Sequence, residues 1–381
     1  MKDNKQRKVC LAAASEMTVK AFLLEQITAL APWYGVTVMV NTTHPGFLAE
    51  LNIPARVVPV PIVRQISLSS DMRALFTLWS FFRHERFDIV HSVTPKAGLL
   101  AMLAGVLARV PVRIHIFTGQ VWVTRKGFSR WLLRAMDRLL AVSATHLLAD
   151  SGSQRQFLID QGVAPAEKIK VLGKGSISGV DVRRFAPDAT AREEVRAGLR
   201  INNAAIVFLY LGRLTRDKGI ADLAHAFNGI AARNPHVHLL IVGPDEERMI
   251  EGLRMICAAC IERLHFVDFT VVPERYMAAA DVFCLPSYRE GFGSVLIEAA
   301  AVGLPAIGSR IYGITDSIVE DVTGLLFSPG DVTALMEAMY RLVEDGALRR
   351  SLAREARTRA LEHFSSANLV QAWIDFYKRL P

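Results

Sequence analysis

Apolar residues along the chain fall into two alternating kinds of block. Segments 8–13, 36–40, 55–60, 87–91, 112–117 and 145–149 are short, nearly continuous apolar runs in which Val and Ile recur. Runs of this length are too short for helices and suit strands buried on both faces. The segments between them repeat at the period of a helix: 19–29, 71–84, an apolar stretch ending at Ala108, 128–142 and 151–161. Strand and helix in alternation predict a parallel sheet covered by helices. A Gly- and Ser-rich stretch, Gly173 to Gly179, interrupts the series and reads as a hinge. Beyond it, strands at 206–211, 237–242, 263–267, 281–285 and 305–308 alternate with helices at 218–233, 246–260, 273–280, 295–302 and 331–362. A final helix, 367–379, carries Leu369, Trp373, Phe376 and Tyr377 at helical spacing. The pattern predicts two α/β domains.

The stretch from Pro286 to Glu298 organises the second of them. The strand at 281–285 stops at Pro286, whose ring removes a ladder donor. Gly291 and Gly293 flank Phe292, and Ser294 is placed to cap the helix from Val295 to Val302. Free N–H groups at a helix start favour anions, above all phosphate. Glu290 precedes that anion site and Glu298 lies inside the helix, so two carboxylates bracket a phosphate-sized place. The plainer alternative is a strand–turn–helix with a surface Glu at each end.

Three motifs then point further. Glu290-Gly291-Phe292-Gly293, four more residues and Glu298 resemble the E-x7-E motif of retaining glycosyltransferases of family 4, which have the GT-B fold. Gly212-Arg213, four residues and Lys218-Gly219 resemble that family's G-R-(four residues)-K-G loop. Val242-Gly243-Pro244-Asp245-Glu246 resembles its V-G-x-D/E turn. The likeness runs in order from about Tyr210 to Asp331 and more loosely over the whole chain.

The resemblance implies two Rossmann-like β/α/β domains whose parallel sheets face a central cleft. Residues 1–175 would bind the acceptor and 176–364 the nucleotide-sugar, with helix 365–381 crossing back to the N-terminal domain. Carried over, Arg213 and Lys218 neutralise the diphosphate as it leaves. Glu290 holds donor-sugar hydroxyls beside the anomeric carbon, and Glu298 accepts hydrogen bonds from the ribose. Backbone N–H groups of Phe292, Gly293 and Ser294 cap the distal phosphate, with Gly243 on the same donor side. Many relatives carry Gly-Gly after the first strand. This chain has Ala13-Ala14-Ser15-Glu16-Met17 there, which leaves Ser15 as the donor-side contact. Thr118 aligns with a His of many relatives, and His115 lies three residues earlier, open to a core or a catalytic reading. No Asp-x-Asp occurs, so two cations and a helix end stand in for a metal, and no cofactor is expected beyond the donor substrate.

Charge sharpens the acceptor side. Residues 1–178 hold 22 Lys and Arg against 11 Asp and Glu, while 179–381 hold 23 against 26. The basic excess is confined to the first half and implies an anionic partner. Between 64 and 138 there are 12 basic residues, among them Arg64, Lys96, Arg125, Lys126 and Arg130, with Trp122, Phe128 and Trp131 interleaved. That mixture fits an anionic membrane surface; a basic solvated helix over a buried aromatic stripe is the alternative. His91 to Gly98 and Phe117 to Gly127 resemble a bacterial branch of the family that builds surface polysaccharides, such as capsule and lipopolysaccharide, on a polyprenyl-diphosphate carrier. His91, Lys96, His115, Thr118, Arg125 and Lys126 are therefore the acceptor-side candidates.

The expected function is transfer of a sugar from a nucleotide-diphosphate donor, UDP-linked, to a lipid-linked saccharide. An epimerase of the same fold is the nearest alternative, and E-x7-E argues against it. A pI of about 9.5 raises nucleic-acid binding, but no RNP pattern or comparable platform occurs. The longest apolar run, 97–108, has 12 residues, short of the ~18–20 needed to span a bilayer. The first eight residues are too polar for a signal peptide. Cys257-Ala-Ala-Cys260 has no second pair and reads as buried packing. These features together suit a cytoplasmic enzyme, peripheral on the inner face of the cell membrane.

Overall fold

A computed structural model of the chain describes residues 6–63 and 67–381, so Arg64 of the basic stretch lies outside the described residues. The chain divides into two units. One takes in the chain up to Ser178 together with Ser366–Pro381, and the other is Gly179–Ser365.

In the first unit seven strands run along the chain: β1 (Arg7–Ala13), β2 (Tyr34–Val40), β3 (Arg56–Pro59), β4 (Ile89–Val93), β5 (Val112–Phe117), β6 (His146–Ala149) and β7 (Ile169–Val171). They form one parallel sheet in the order β3-β2-β1-β4-β5-β6-β7. β4 is buried at every position, as a strand covered on both faces must be. Helices Leu68–Glu85 and Pro95–Leu107 pack on one face, and Leu24–Leu30 and Ser366–Lys378 on the other. The terminal helix buries Leu369, Trp373 and Tyr377 among Val9, Leu11, Ile89 and Ile114.

The second unit repeats the plan with β8 (Ile206–Leu211), β9 (Val237–Val242), β10 (Leu264–Val267), β11 (Val282–Leu285), β12 (Ala306–Ser309) and β13 (Gly324–Phe327). Their order is β10-β9-β8-β11-β12-β13, again parallel. Strand order reverses between β1 and β4 in the first sheet and between β8 and β11 in the second. At such switch points the loops leaving adjacent strands turn opposite ways and open a crevice at the carboxyl ends.

Several short elements escape the apolar pattern, among them β7, β13, the helices Phe47–Glu50 and Ile314–Ser317, and the longer helix Ala189–Gly198. The run expected as one helix over 246–260 is a short helix, Ile250–Ile256, and a 3-10 segment, Ala258–Arg263, with Cys257 and Cys260 buried at the break. No helix among the described residues is long and apolar enough to cross a membrane.

Candidate active site

The loops that leave β9, β8 and β11 meet around the switch point of the second sheet, and two glycines let them. At Gly243 (φ 140°) an added Cβ would lie 2.0 Å from the Gly212 carbonyl oxygen. At Gly219 (φ 66°) it would lie 2.0 Å from that of Pro286. Backbone thus passes against backbone at both places, which only glycine permits. The loops are then fastened together. Tyr288 N donates to Asp217 O at 2.9 Å, Arg289 pairs with Asp217 at 3.3 Å, and Tyr288 Oη donates to Asp222 at 2.6 Å.

This fastening brings the sequence-predicted charges together. Lys218 Nζ pairs with Glu290 Oε1, which also accepts from Ser287 Oγ at 2.9 Å. Arg213 Nη1 pairs with Glu246 Oε2 at 2.9 Å, and its own carbonyl accepts from Tyr210 Oη at 2.8 Å. Burial pushes the Tyr210 phenol up, with the Glu290 charge adding, so this hydroxyl stays a donor. In the turn after β9 the two acids divide the work. Asp245 accepts from Met249 N and Ile250 N at 2.8 and 3.1 Å, capping the next helix, while Glu246 holds Arg213.

The helix Ser294–Val302 starts one residue earlier than the sequence suggests. Gly293, at φ 73°, is the cap, and Ser294 is the first helical residue with no capping bond from its side chain. A glycine in the left-handed region turns the chain into the helix without a side-chain acceptor. No hydrogen bond among the described residues reaches the N–H groups of Phe292, Gly293 or Ser294. Phe292 itself is buried against Phe364, ring centroids 5.3 Å apart, and its carbonyl accepts from Ser317 Oγ. The result is a helix start whose first donors are unpaired among the described residues, two residues beyond the Glu290 that holds Lys218.

Glu298 lies one turn into that helix, half-buried, and no hydrogen bond or ion pair among the described residues reaches its carboxylate. Loss of hydration pushes its carboxyl up to about 7, Arg184 pulling it down and Glu274 pushing it up. Arg184 is held by Glu274 at 2.9 Å and donates to the Val271 carbonyl at 2.6 Å. Arg184 and Glu274 had no sequence signal, because they reach Glu298 from segments over a hundred and about two dozen residues away.

The first-unit candidates separate. Ser15 Oγ caps the helix Glu16–Phe22 by accepting from Thr18 N at 3.3 Å. The imidazoles of His91 and His115 both lie in the core. His91 Nδ1 bonds Tyr377 Oη at 2.9 Å, and His115 Nδ1 bonds Ser92 Oγ at 2.9 Å beneath Gly98. Burial lowers each to about 3, so they are neutral packing groups. Lys96 pairs with Asp71 at 2.6 Å, and the Thr118 carbonyl takes the Gln120 and Gln154 amides at 2.6 and 2.7 Å. Arg125 and Lys126 are exposed just before the helix Gly127–Ser143. That helix also exposes Phe128 (74%), Trp131 (63%), Leu132, Leu139 and Val142 (77%) along one stripe. Arg130, Arg125 and Lys126 have no carboxylate partner among the described residues.

A doubly repeated parallel α/β plan, with a cationic loop and an open helix start at a switch point, is an arrangement that suits phosphorylated ligands. Comparison with known proteins makes the class specific. Residues 191–359 match the family of glycosyl transferases group 1, and residues 19–175 match the glycosyl transferase 4-like domain. The capsular polysaccharide biosynthesis glycosyltransferase CapM of Staphylococcus aureus is 33% identical over 308 residues, covering 81% of this chain and 80% of that protein. The UDP-Gal:alpha-D-GlcNAc-diphosphoundecaprenol alpha-1,3-galactosyltransferase of Escherichia coli is 27% identical over 322 residues, 83% and 81% of the two chains. A crystal structure of Anabaena HepE in complex with UDP and glucose superposes with a TM-score of 0.82 at 21% identity, covering 98% of this chain and 100% of that one. The chain belongs to the glycosyl transferases group 1 family and has the GT-B fold of its glycosyltransferases.

Proposed function

We propose that this glycosyltransferase moves a hexose from a UDP-sugar, with retention of configuration and without a metal, to a hydroxyl of a polyprenyl-diphosphate-linked saccharide in bacterial surface-polysaccharide synthesis. The observation that carries the donor side is the Lys218–Glu290 pair set beside the unpaired N–H groups of Phe292, Gly293 and Ser294. A diphosphate docked there meets Lys218, Arg213 and the helix start, three sources of positive potential. Leaving-group charge grows in the transition state, so these contacts strengthen as the bond breaks. Glu290 sits against that ammonium, where the sugar's anomeric carbon develops positive charge. Glu298, unpaired and one turn further on, suits the ribose hydroxyls. The acceptor class is supported by the likeness to CapM and to the E. coli galactosyltransferase acting on a diphosphoundecaprenol-linked sugar.

The exposed stripe of the helix Gly127–Ser143 supports work at an anionic membrane surface. Its aromatics stand out from the chain with unpaired cations beside them, the arrangement of an interfacial helix.

Incubating the purified chain with UDP-galactose or UDP-glucose, alone and with α-D-GlcNAc-diphosphoundecaprenol, in excess EDTA, tests the reading. UDP release should persist in EDTA, and sugar should pass to the lipid with retained anomeric configuration. Activity that appears only with Mg²⁺ or Mn²⁺ removes the metal-free mechanism. An interconverted UDP-sugar without transfer would establish the epimerase instead.

A further inference from the structure

Among the described residues, two groups on the carboxyl edge of the first sheet lack partners, and neither is one of the site candidates named above. The first is Thr94, which ends β4 at the switch point beside β1. Its φ of 74° with ψ 143° is a conformation that a β-branched residue avoids. Its Oγ1 is buried with no hydrogen bond, and Pro95 follows immediately as the start of a helix.

The second is Asp150, which follows β6 and is 4% exposed. Its Oδ1 is buried without a partner. Everything around that carboxyl is already fixed. Asp150 N donates to Gln154 Oε1 at 2.8 Å, and the Asp150 carbonyl accepts from Ser176 N at 2.6 Å. Gln154 Nε2 donates in turn to Thr118 O at 2.7 Å, tying the ends of β5 and β6 together. The network satisfies the backbone of both strand ends and leaves the carboxyl over.

An unpaired buried carboxyl or hydroxyl costs stability, so a group that persists in this state wants an outside partner. The partner's chemistry follows from charge. Burial pushes Asp150 up to about 8, so it is neutral near pH 7 and offers one O–H donor and one acceptor. A phosphate would drive against any ionised fraction; a hydroxyl satisfies both states. β4 and β6 flank β5, so the two residues are two strand spacings apart, about 10 Å. That separation lies within reach of one disaccharide-sized ligand.

We propose that Thr94 and Asp150 are acceptor-binding residues that hydrogen-bond the hydroxyls of the saccharide receiving the sugar. The inference rests on the sugar-transfer reading above and names the residues of its acceptor side.

The test uses UDP-galactose with α-D-GlcNAc-diphosphoundecaprenol as the acceptor probe, and UDP release without acceptor as a separate readout. Asp150→Ala should raise the acceptor KM about tenfold or more, and Asp150→Asn, which keeps a donor and an acceptor, should restore it to within about threefold. Thr94→Gly relieves the backbone while deleting the hydroxyl, so its Tm should be no lower than wild type while acceptor KM rises at least about fivefold. Donor-only UDP release should stay within about twofold of wild type throughout. Acceptor KM within twofold of wild type in Asp150→Ala and Thr94→Gly overturns the proposal, as does a parallel loss of donor-only release. A wild-type chain that releases UDP but glycosylates no lipid refutes the acceptor class. One that does neither refutes sugar transfer itself.

Discussion

Lys218 and Glu290 form an ion pair that joins the loop after β8 to the loop after β11, with Ser287 Oγ on the same carboxylate oxygen. Arg213 is held likewise by Glu246. Both cations expected to meet the donor diphosphate therefore carry carboxylate partners in the free chain. Donor binding in the proposed mode would exchange those partners for phosphate oxygens.

Exchange has a kinetic consequence. Arg213→Ala should lower kcat by about two to three orders of magnitude, the scale of losing one preorganised contact to developing charge. Glu246→Gln should do the reverse for binding, because it removes the competitor for Arg213. UDP affinity, measured by titration calorimetry at low salt, should rise several-fold. An Arg213→Ala enzyme with raised donor KM and unchanged kcat would remove the leaving-group role.

Stability should depend on pH through two carboxyls. Burial raises Asp150 from 3.8 to about 8 and Glu298 from 4.5 to about 7. Below about pH 3 both are protonated, folded or unfolded, and contribute nothing to the pH slope. As pH rises the unfolded chain ionises first, so the folded chain holds more protons and stability falls until the folded values are passed. Thermal melts should show Tm declining between about pH 5 and about pH 8.5, with a shallower decline in Asp150→Asn and in Glu298→Gln. Identical slopes in wild type and both variants would contradict the burial of these groups.

The exposed stripe makes a separate expectation. Phe128→Ser with Trp131→Ser should abolish most co-sedimentation with anionic vesicles while leaving UDP binding intact. Charge reversal at Arg130 should weaken it too, with the loss growing less as salt screens the surface. Wild-type binding that is equal on neutral and anionic vesicles would leave the basic excess of the first half without this explanation.

What the sequence made legible is what apolar periodicity and glycine spacing encode. The runs at 206–211 and 237–242 are strands to the residue, and the glycines at 219 and 243 stand where backbone meets backbone. The helix Ala189–Gly198 escaped because it has no apolar stripe. What it buries is Ala191 and Arg196, and Arg196 pairs with Asp281 at 2.7 Å, a contact visible only once the helix is set against the start of β11. β13 is four residues within a turn-rich stretch, too short to stand out. Asp150 and Thr94 could not be singled out either, since what marks them is a missing partner and a backbone angle. His91 looked like an acceptor-side group by position, yet its strand faces the terminal helix, where Tyr377 and Trp373 enclose it.

The two glutamates of the organising stretch should fail in different ways. Glu290 is bonded to Lys218 and Ser287 in the loop before the helix, where sugar and distal phosphate would lie. Glu290→Gln keeps the shape, removes the negative charge beside the developing cation, and frees Lys218 for phosphate. Its kcat should collapse while UDP binding holds or tightens. Glu298 has no hydrogen-bond or ion-pair partner among the described residues, which leaves its carboxylate open to a ligand. Glu298→Gln should weaken UDP binding by about 1–3 kcal/mol, the range for hydrogen bonds to a charged acceptor. A pH series adds a second mark. The carboxyl is raised to about 7 in the free chain, and the ionised form is the better acceptor, so ribose contact lowers its pKa in the complex. Wild-type UDP affinity should therefore climb as pH rises through about 7 and level off above it, whereas Glu298→Gln should show no such climb. Titration calorimetry with UDP on both variants, beside a steady-state assay, separates the roles. Lost UDP binding in Glu290→Gln together with wild-type affinity and pH response in Glu298→Gln would reverse the assignment.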